Sequence, residues 1–381
     1  MQIGIIGSGA MGSGIAQVAS LASDTTLIFD INPTALVLAE NKLEQELENR
    51  ILKGKISTAE AERIKGNIKY TSTLSEFSTC ELVIEAIVEN LEAKKQVFKN
   101  LEMVVSKTCI LASNTSSLSI TSIASACENP ERVIGIHFFN PAVIMPLVEI
   151  IPAMQTHDQT VQKSTEIIAA WGKIIVKAKD TPGFIVNRVA RPFYGEAFKM
   201  YEEGIAGMAT IDWAMKEFGG FRMGPFELTD FIGHDVNYAV TESVWSAFYF
   251  DPRFRPSLCQ KRLVEAGYLG KKSGKGFYDY SQGNTNPEAK KDEALGKKIF
   301  ERILAMLINE AADAIYMNIC SEKDLETAMT KGVNYPKGLL AWANAFGIEK
   351  TVSILDGLFS KYHDMRYRSC PLLREIKSFN I

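Results

Sequence analysis

The sequence predicts an α/β chain, with a doubly wound, mostly parallel sheet followed by two all-α helical domains. Three observations predict it. Over residues 1–178, short runs rich in Val, Ile and Leu alternate with helical stretches: "QIGII", "TTLIFD", "NIKYT", "ELVIEAI", "TCILASNT", "RVIGIHFF", "LVEII" and "KIIVKAK". Near-continuous apolar runs suit strands buried on both faces, and the helices between them supply the crossovers of a parallel sheet. Beyond "KDTPGFIVNR" (179–188), with its Pro182-Gly183 turn signal, the pattern becomes helical. Finally, the helical part repeats itself. Arg188, Glu196, Ala197, Ala214, Met215, Gly224 and Gly233 stand 114 positions before Arg302, Glu310, Ala311, Ala328, Met329, Gly338 and Gly347, and "DPRFRPSL" (251–258) is echoed by "DMRYRSCPLL" (364–373). Order and chemistry that persist at one offset read as duplication. The expected domains are 1–180, the sheet with a helical insertion; 181–290, a first helical domain; and 291–381, its second copy.

The elements follow in order. The first strand runs into Gly7-Ser8-Gly9-Ala10-Met11-Gly12 and then a helix, and the second strand ends at Asp30. A long polar helix spans Pro33 to about Lys53. Ser57-Thr58-Ala59-Glu60 has the capping-box pattern that opens another helix, so the connection to the third strand is larger than a plain crossover. A polar, Pro- and Gly-interrupted linker, "SQGNTNPEAKKDEALG" (281–296), separates the two helical copies.

At 381 residues the chain holds two or three cores, and its 46% hydrophobic and 23% charged residues are those of an ordinary globular protein. A net charge of -3 gives no electrostatic case for nucleic acid or an anionic membrane. No apolar run is long enough to span a bilayer, and a strand starting at Gln2 leaves no room for a signal peptide. The six cysteines (Cys80, Cys109, Cys127, Cys259, Cys320, Cys370) show no metal-ligand or redox spacing and are expected to be reduced thiols of a cytoplasmic protein.

A tight turn needs the first glycine of Gly7-x-Gly9-x-x-Gly12, approach to a pyrophosphate the second, and helix–strand packing the third. The helix that follows offers unpaired N–H groups to phosphates. Asp30 completes a Rossmann-like dinucleotide site: a carboxylate there accepts hydrogen bonds from both ribose hydroxyls and repels a 2′-phosphate, which favours NAD over NADP. The second chemical signal is "IGIHFFNPAVIMPLVEI" (134–150), which places one histidine and one glutamate among apolar residues. His137 ends a strand, where ligands of such sheets bind. Glu149 without a partner would cost several kcal/mol, on the order of other buried charges, and an imidazole is its natural partner. An oriented His–carboxylate pair is equipment for general base catalysis.

Together with these residues, "EAIVENLEAK", "ASNTSSLSI", "DTPGFIVNR", "GPFELTDFIG" and "LGKKSGKGFYDY" resemble the L-3-hydroxyacyl-CoA dehydrogenase family, including 3-hydroxybutyryl-CoA dehydrogenases, over residues 1 to about 280. The last third resembles the second helical copy of the family's longer members. The resemblance implies NAD-dependent interconversion of a 3-hydroxyacyl-CoA and a 3-oxoacyl-CoA without a metal. It makes His137 the base and Glu149 the carboxylate that orients it. Ser116 lies close to the substrate oxygen, Asn187 positions the acyl group, and Asn140 neighbours the base. Glu89, Lys94 and Asn114 join Gly7, Gly9, Ala10, Met11, Gly12 and Asp30 at the cofactor. Among the cations of the polar helices (Lys42, Arg50, Lys53, Lys55), Lys53 falls nearest a CoA-contacting lysine, and Glu46 stands where some members have serine. Relatives acting on a free hydroxy acid or sugar acid, of the lambda-crystallin and gulonate dehydrogenase kind, would share the turn, the histidine and the glutamate. Single-copy members dimerise through the helical domain, so the second copy points to a monomer with a pseudo-dimeric helical part or to another oligomer. Acyl chain length, and any second carboxylate on the substrate, stay open.

Overall fold

A computed structural model describes residues 1–23 and 25–381, which form two compact units, Met1–Thr181 and Pro182–Ile381. The first unit carries an eight-stranded sheet: β1 (Gln2–Ile6), β2 (Thr25–Phe29), β3 (Ile68–Thr71), β4 (Leu82–Glu85), β5 (Ile110–Ser113), β6 (Val133–Phe138), β7 (Leu147–Pro152) and β8 (Ile174–Lys177). Each of the apolar runs read from the sequence supplies one of them. The spatial order is β3-β2-β1-β4-β5-β6-β7-β8, parallel throughout except where β7 returns antiparallel to β6. Strand order reverses between β1 and β4, and the crevice at such a switch point is where open sheets bind ligands. β4, β5 and β6 are buried along their whole length, as their unbroken Val/Ile/Leu runs require.

The helices of this unit are α1 (Ala10–Ser20), α2 (Pro33–Leu52), α3 (Thr58–Asn67), α4 (Leu91–Glu102), α5 (Ile120–Ala124) and α6 (Asp158–Ala170). Starts follow local chemistry. Asn32 caps α2 through the Thr34 amide with Pro33 as the first helical residue, and Ser57 caps α3 through the Glu60 amide. Helices α2 and α3 are the predicted excursion. Their inner faces, Leu36, Leu43, Leu47 and Ile64, join a core with Ile3, Ile5, Ile15 and Ile28.

The second unit is all helical: α7 (Val186–Val189), α8 (Arg191–Glu202), α9 (Met208–Gly219), α10 (Pro225–Ile232), α11 (His234–Ala247), α12 (Leu258–Glu265), α13 (Glu293–Tyr316), α14 (Glu322–Gly332), α15 (Leu339–Phe346), α16 (Ile348–Tyr362) and α17 (Pro371–Glu375). Helix α13 is buried without a break from Arg302 to Ala314, so it is the axis on which the others pack. The positions that repeat at a 114-residue spacing meet reciprocally. Arg188 Nε lies 2.7 Å from Glu310 Oε1, and its counterpart Arg302 Nε lies 2.5 Å from Glu196 Oε1, the counterpart of Glu310. The equivalence extends to caps: Asp212 accepts the Phe226 and Glu227 amides at the start of α10, and Glu326 the Leu340 and Ala341 amides at the start of α15. Residue i contacting j while j's equivalent contacts i's equivalent is the signature of a two-fold interface, here within one chain.

Candidate active site

The site of the first unit is assembled from strand ends at the switch point. Gly7 leaves β1 with φ +103°, a conformation open to glycine, and any Cβ there would lie 2.7 Å from the Ala86 carbonyl oxygen. A Cβ on Gly12 would fall 1.9 Å from the Gly7 carbonyl oxygen, so α1 packs on the turn only as glycine. At Gly9 a Cβ would meet open space instead. Protein packing does not require that glycine, and it leaves the backbone of the turn open to close approach. Gly9 also leaves α1 without a side-chain cap, so its first amides point outward for an anion.

Asp30 closes the β2 end. Its Oδ2 accepts the Ser8 amide (3.0 Å) and hydroxyl (2.8 Å), and its Oδ1 the Asn32 amide (3.0 Å). Burial pushes its pKa up, but the bonds from Asn32 and Ser8 outweigh it and hold the carboxyl below the usual range. Gly9, Asp30, Lys42, Glu46 and Asn140 line a cavity of about 460 Å³ beside the turn. The open cradle, the uncapped helix and the ionised Asp30 fit a dinucleotide with an unphosphorylated ribose. Of the cations read from the polar helices, Lys42 reaches this cavity; Lys53 sits exposed at the end of α2 and lines none of it.

His137 and Glu149 are register partners across β6 and β7. Directly opposed residues project to one face, and here His137 Nδ1 lies 2.6 Å from Glu149 Oε2, with Glu149 fully buried and His137 5% exposed. A carboxylate accepts, so Nδ1 carries the proton and Nε2 is the basic nitrogen. The Phe139 ring lies 4.6 Å from the imidazole, centroid to centroid. Asn114, at the end of β5, accepts the Phe138 amide through Oδ1 (2.8 Å) and so fixes the backbone just past the histidine.

Glu89 and Lys94 sit in a network that the sequence reading only half revealed. Glu85, fully buried at the end of β4, binds Lys94 Nζ at 2.6 Å and accepts the Ser113 hydroxyl at 2.7 Å. Lys94, 1% exposed, reaches Glu89 at 3.3 Å. Glu89 Oε1 in turn accepts the Thr115 hydroxyl (2.6 Å), the Ser116 amide (2.9 Å) and the Ser116 and Ser117 hydroxyls (3.3 Å each). Burial raises the Glu89 pKa, but the Lys94 charge and the bonds from Thr115 and Ser116 outweigh it and lower it overall. The carboxylate therefore pins the loop carrying Ser116. Glu85 went unread, although a charge inside "ELVIEAI" is the same signal that singled out Glu149.

Lys173 was not read from the sequence either; its Nζ donates to the carbonyls of Ala142 and Met145 and braces the loop between His137 and Glu149. Asn187 belongs to the helical unit. It is half-buried in α7, where it makes no capping bond.

A dinucleotide cradle at the switch point and a buried imidazole–carboxylate pair at the ends of neighbouring strands define a nicotinamide-dependent dehydrogenase of the acid–base type. The chain belongs to the 3-hydroxyacyl-CoA dehydrogenase family. The family's NAD binding domain matches residues 2–181, and its C-terminal domain matches twice, at 183–280 and 299–380. The 3-hydroxyadipyl-CoA dehydrogenase of Escherichia coli (strain K12) is 38% identical, over 98% of this chain and 96% of that protein. A probable 3-hydroxybutyryl-CoA dehydrogenase of Bacillus subtilis (strain 168) is 41% identical over 74% of this chain and 98% of its own length. The crystal structure of 3-hydroxybutyryl-CoA dehydrogenase from Escherichia coli K12 superposes with a TM-score of 0.92 at 36% identity, covering 98% of both chains.

Proposed function

We propose that the chain interconverts an (S)-3-hydroxyacyl-CoA and the 3-oxoacyl-CoA with NAD, and that His137 is its general base and acid. The observation that carries this reading is the 2.6 Å contact of His137 with the buried Glu149 at the cofactor end of the sheet. Oxidising a secondary alcohol removes a proton from oxygen and a hydride from carbon. Gly7, Gly9, Ala10, Met11, Gly12 and Asp30, together with Glu89, Lys94 and Asn114, would hold NAD, which when bound would supply the hydride acceptor. His137 Nε2 takes the hydroxyl proton, and Glu149 stabilises the imidazolium and keeps its ring plane fixed. The Ser116 hydroxyl, turned from Glu89 while its amide stays held there, donates to the substrate oxygen, Asn187 donates to the acyl group, and Asn140 borders the base. In the reverse direction the imidazolium returns its proton to the forming alkoxide. Lys42 and Lys53 are the cations offered to the phosphates of coenzyme A, and the enzyme works in the cytoplasm.

Acetoacetyl-CoA with NADH is expected to give loss of the reduced-cofactor absorbance, and free acetoacetate or a sugar acid is not. Turnover of the free acids in preference to the thioester would move the chain to the hydroxy-acid branch.

The duplication extends the proposal to assembly. The domains we infer are 1–180, 181–290 and 291–381, the third a copy of the second that carries no site of its own. The reciprocal Arg188–Glu310 and Arg302–Glu196 pairs support this, as does the double match to one C-terminal domain. The second copy then occupies the first copy's pairing surface, and light scattering should give the mass of one chain, 42.2 kDa. A dimer that survives deletion of 291–381 would overturn the idea.

A further inference from the structure

Helix α4 buries one stripe of side chains, and the stripe is not all apolar. Lys94, Phe98 and Leu101 stand at the i, i+4 and i+7 positions of its inner face, with Lys94 1% exposed. Strand β4 shows the same break in pattern: Leu82, Val83 and Ile84 are fully buried, and so is Glu85 at its end. Two positions that the fold reserves for apolar side chains therefore hold opposite charges, 2.6 Å apart. Packing does not call for them. Apolar residues of similar volume in place of a buried ion pair are often neutral or stabilising, so the pair needs a reason other than stability.

The place of Glu85 in the sheet supplies that reason. It pairs with Ile6 on one side, immediately before Gly7, and with Ser113 on the other. It thus ends β4 beside the reversal of strand order, level with the dinucleotide turn. Its side chain gathers three segments. Oε1 accepts the Ile87 amide (2.7 Å) and the Lys94 ammonium (2.6 Å), and Oε2 accepts the Ser113 hydroxyl (2.7 Å). Its own carbonyl accepts the Asn114 amide (2.8 Å), so the backbone is held as well. A carboxylate fixed from three sides is a rigid anchor for the one long, jointed side chain that it holds.

An ammonium has three N–H donors, and Lys94 spends two, on Glu85 and, at 3.3 Å, on Glu89. The third finds no acceptor among the described residues. The Glu89 side chain is 39% exposed where that of Glu85 is fully buried, so the ammonium is held between the interior and the site. We infer that Glu85 is a positioning residue of the dehydrogenase: it anchors Lys94 so that the unspent donor serves an oxygen of NAD, and it does not itself touch the cofactor. With the Glu85 charge removed, Lys94 pairs with Glu89 alone and carries its donors away from the cofactor. This inference rests on the dehydrogenase reading of the preceding section, which puts Lys94 at the cofactor.

The test reads NADH affinity by fluorescence titration, separately from turnover. Glu85→Gln keeps an acceptor for Ser113 and Ile87 but removes the charge that holds Lys94. It should raise the Kd for NADH about tenfold, the loss expected of one charge-assisted hydrogen bond, with the fraction of competent sites unchanged. Glu85→Asp, which keeps the charge, should recover part of that affinity. Lys94→Met should weaken NADH binding to a similar extent. Adding Glu85→Gln to Lys94→Met should cost no further affinity and yet raise stability, because no carboxylate is then stranded. Affinity and stability then move apart, which a scaffold role alone does not produce. A wild-type Kd in Glu85→Gln, with only the melting temperature or the competent fraction lowered, overturns the assignment. So does a loss of affinity on Glu85→Gln that is as large in the Lys94→Met background as in the wild type. If Lys94→Met is too unstable to titrate, Glu85→Gln and Glu85→Asp carry the test, and equal Kd values for the two overturn it. A wild type that binds no NADH and leaves acetoacetyl-CoA unreduced strikes the dehydrogenase reading itself, and the positioning role falls with it.

Discussion

His137→Gln should lower kcat by about three orders of magnitude while leaving NADH affinity close to that of the wild type. General acid–base catalysis is worth roughly 10²–10⁴-fold, and glutamine keeps the approximate size and a hydrogen-bonding group but titrates nowhere near neutrality. The variant also leaves Glu149, which is fully buried, facing an amide in place of an imidazole. Glu149→Gln should cost less, about a hundredfold, because the imidazole remains but loses the acceptor that fixes its tautomer. The double variant should be little worse than His137→Gln alone, since an orienting carboxylate has nothing to act on once the base is gone. Single-turnover measurement of hydride transfer, with NADH binding followed by fluorescence quenching, separates the chemical step from cofactor affinity. Equal single-turnover rates for wild type and His137→Gln would remove the imidazole from the mechanism.

The fold was legible because the central strands are written as short, largely apolar runs with glycine or polar punctuation between them. The His137–Glu149 pair was legible for the opposite reason, as two polar residues that an apolar hairpin could not leave unpartnered. Their register, His137 opposite Glu149, is what a return loop from Asn140 to Pro146 produces in an antiparallel pair. What was not legible is a network whose members are far apart in the chain and individually ordinary. Glu85 and Ser113 are 28 positions apart, and neither spacing nor periodicity links them; only the parallel pairing of β4 with β5 sets them side by side. Arg188 and Glu310 were found as equivalents of other residues, but the sequence offset alone does not say that each arginine pairs with the glutamate of the opposite copy.

Lys94→Met should destabilise the first unit by about 3–5 kcal/mol at neutral pH, the cost of breaking a buried ion pair from one side. The lysine is 1% exposed, so its loss strands Glu85, which has no solvent to turn to, and withdraws the charge that helps hold Glu89 ionised. The pH dependence identifies the cause. In the wild type the Glu89 pKa is lowered, so its contribution to stability is full above the ordinary carboxylate range and is lost as pH falls through that lowered value. In the variant the lowering charge is missing, so Glu89 loses that contribution and takes up its proton more readily. The gap in unfolding free energy between wild type and variant should therefore narrow steadily as pH falls below about 5. Urea titrations at several pH values read this directly. A gap that stays constant with pH would mean that Lys94 contributes through the packing of its aliphatic stem and not through its charge. The same variant bears on catalysis, because Glu89 holds Ser116 by its amide and hydroxyl. Loosening that loop displaces the group proposed to steady the reacting oxygen, so the variant should lose kcat more than it loses NADH affinity.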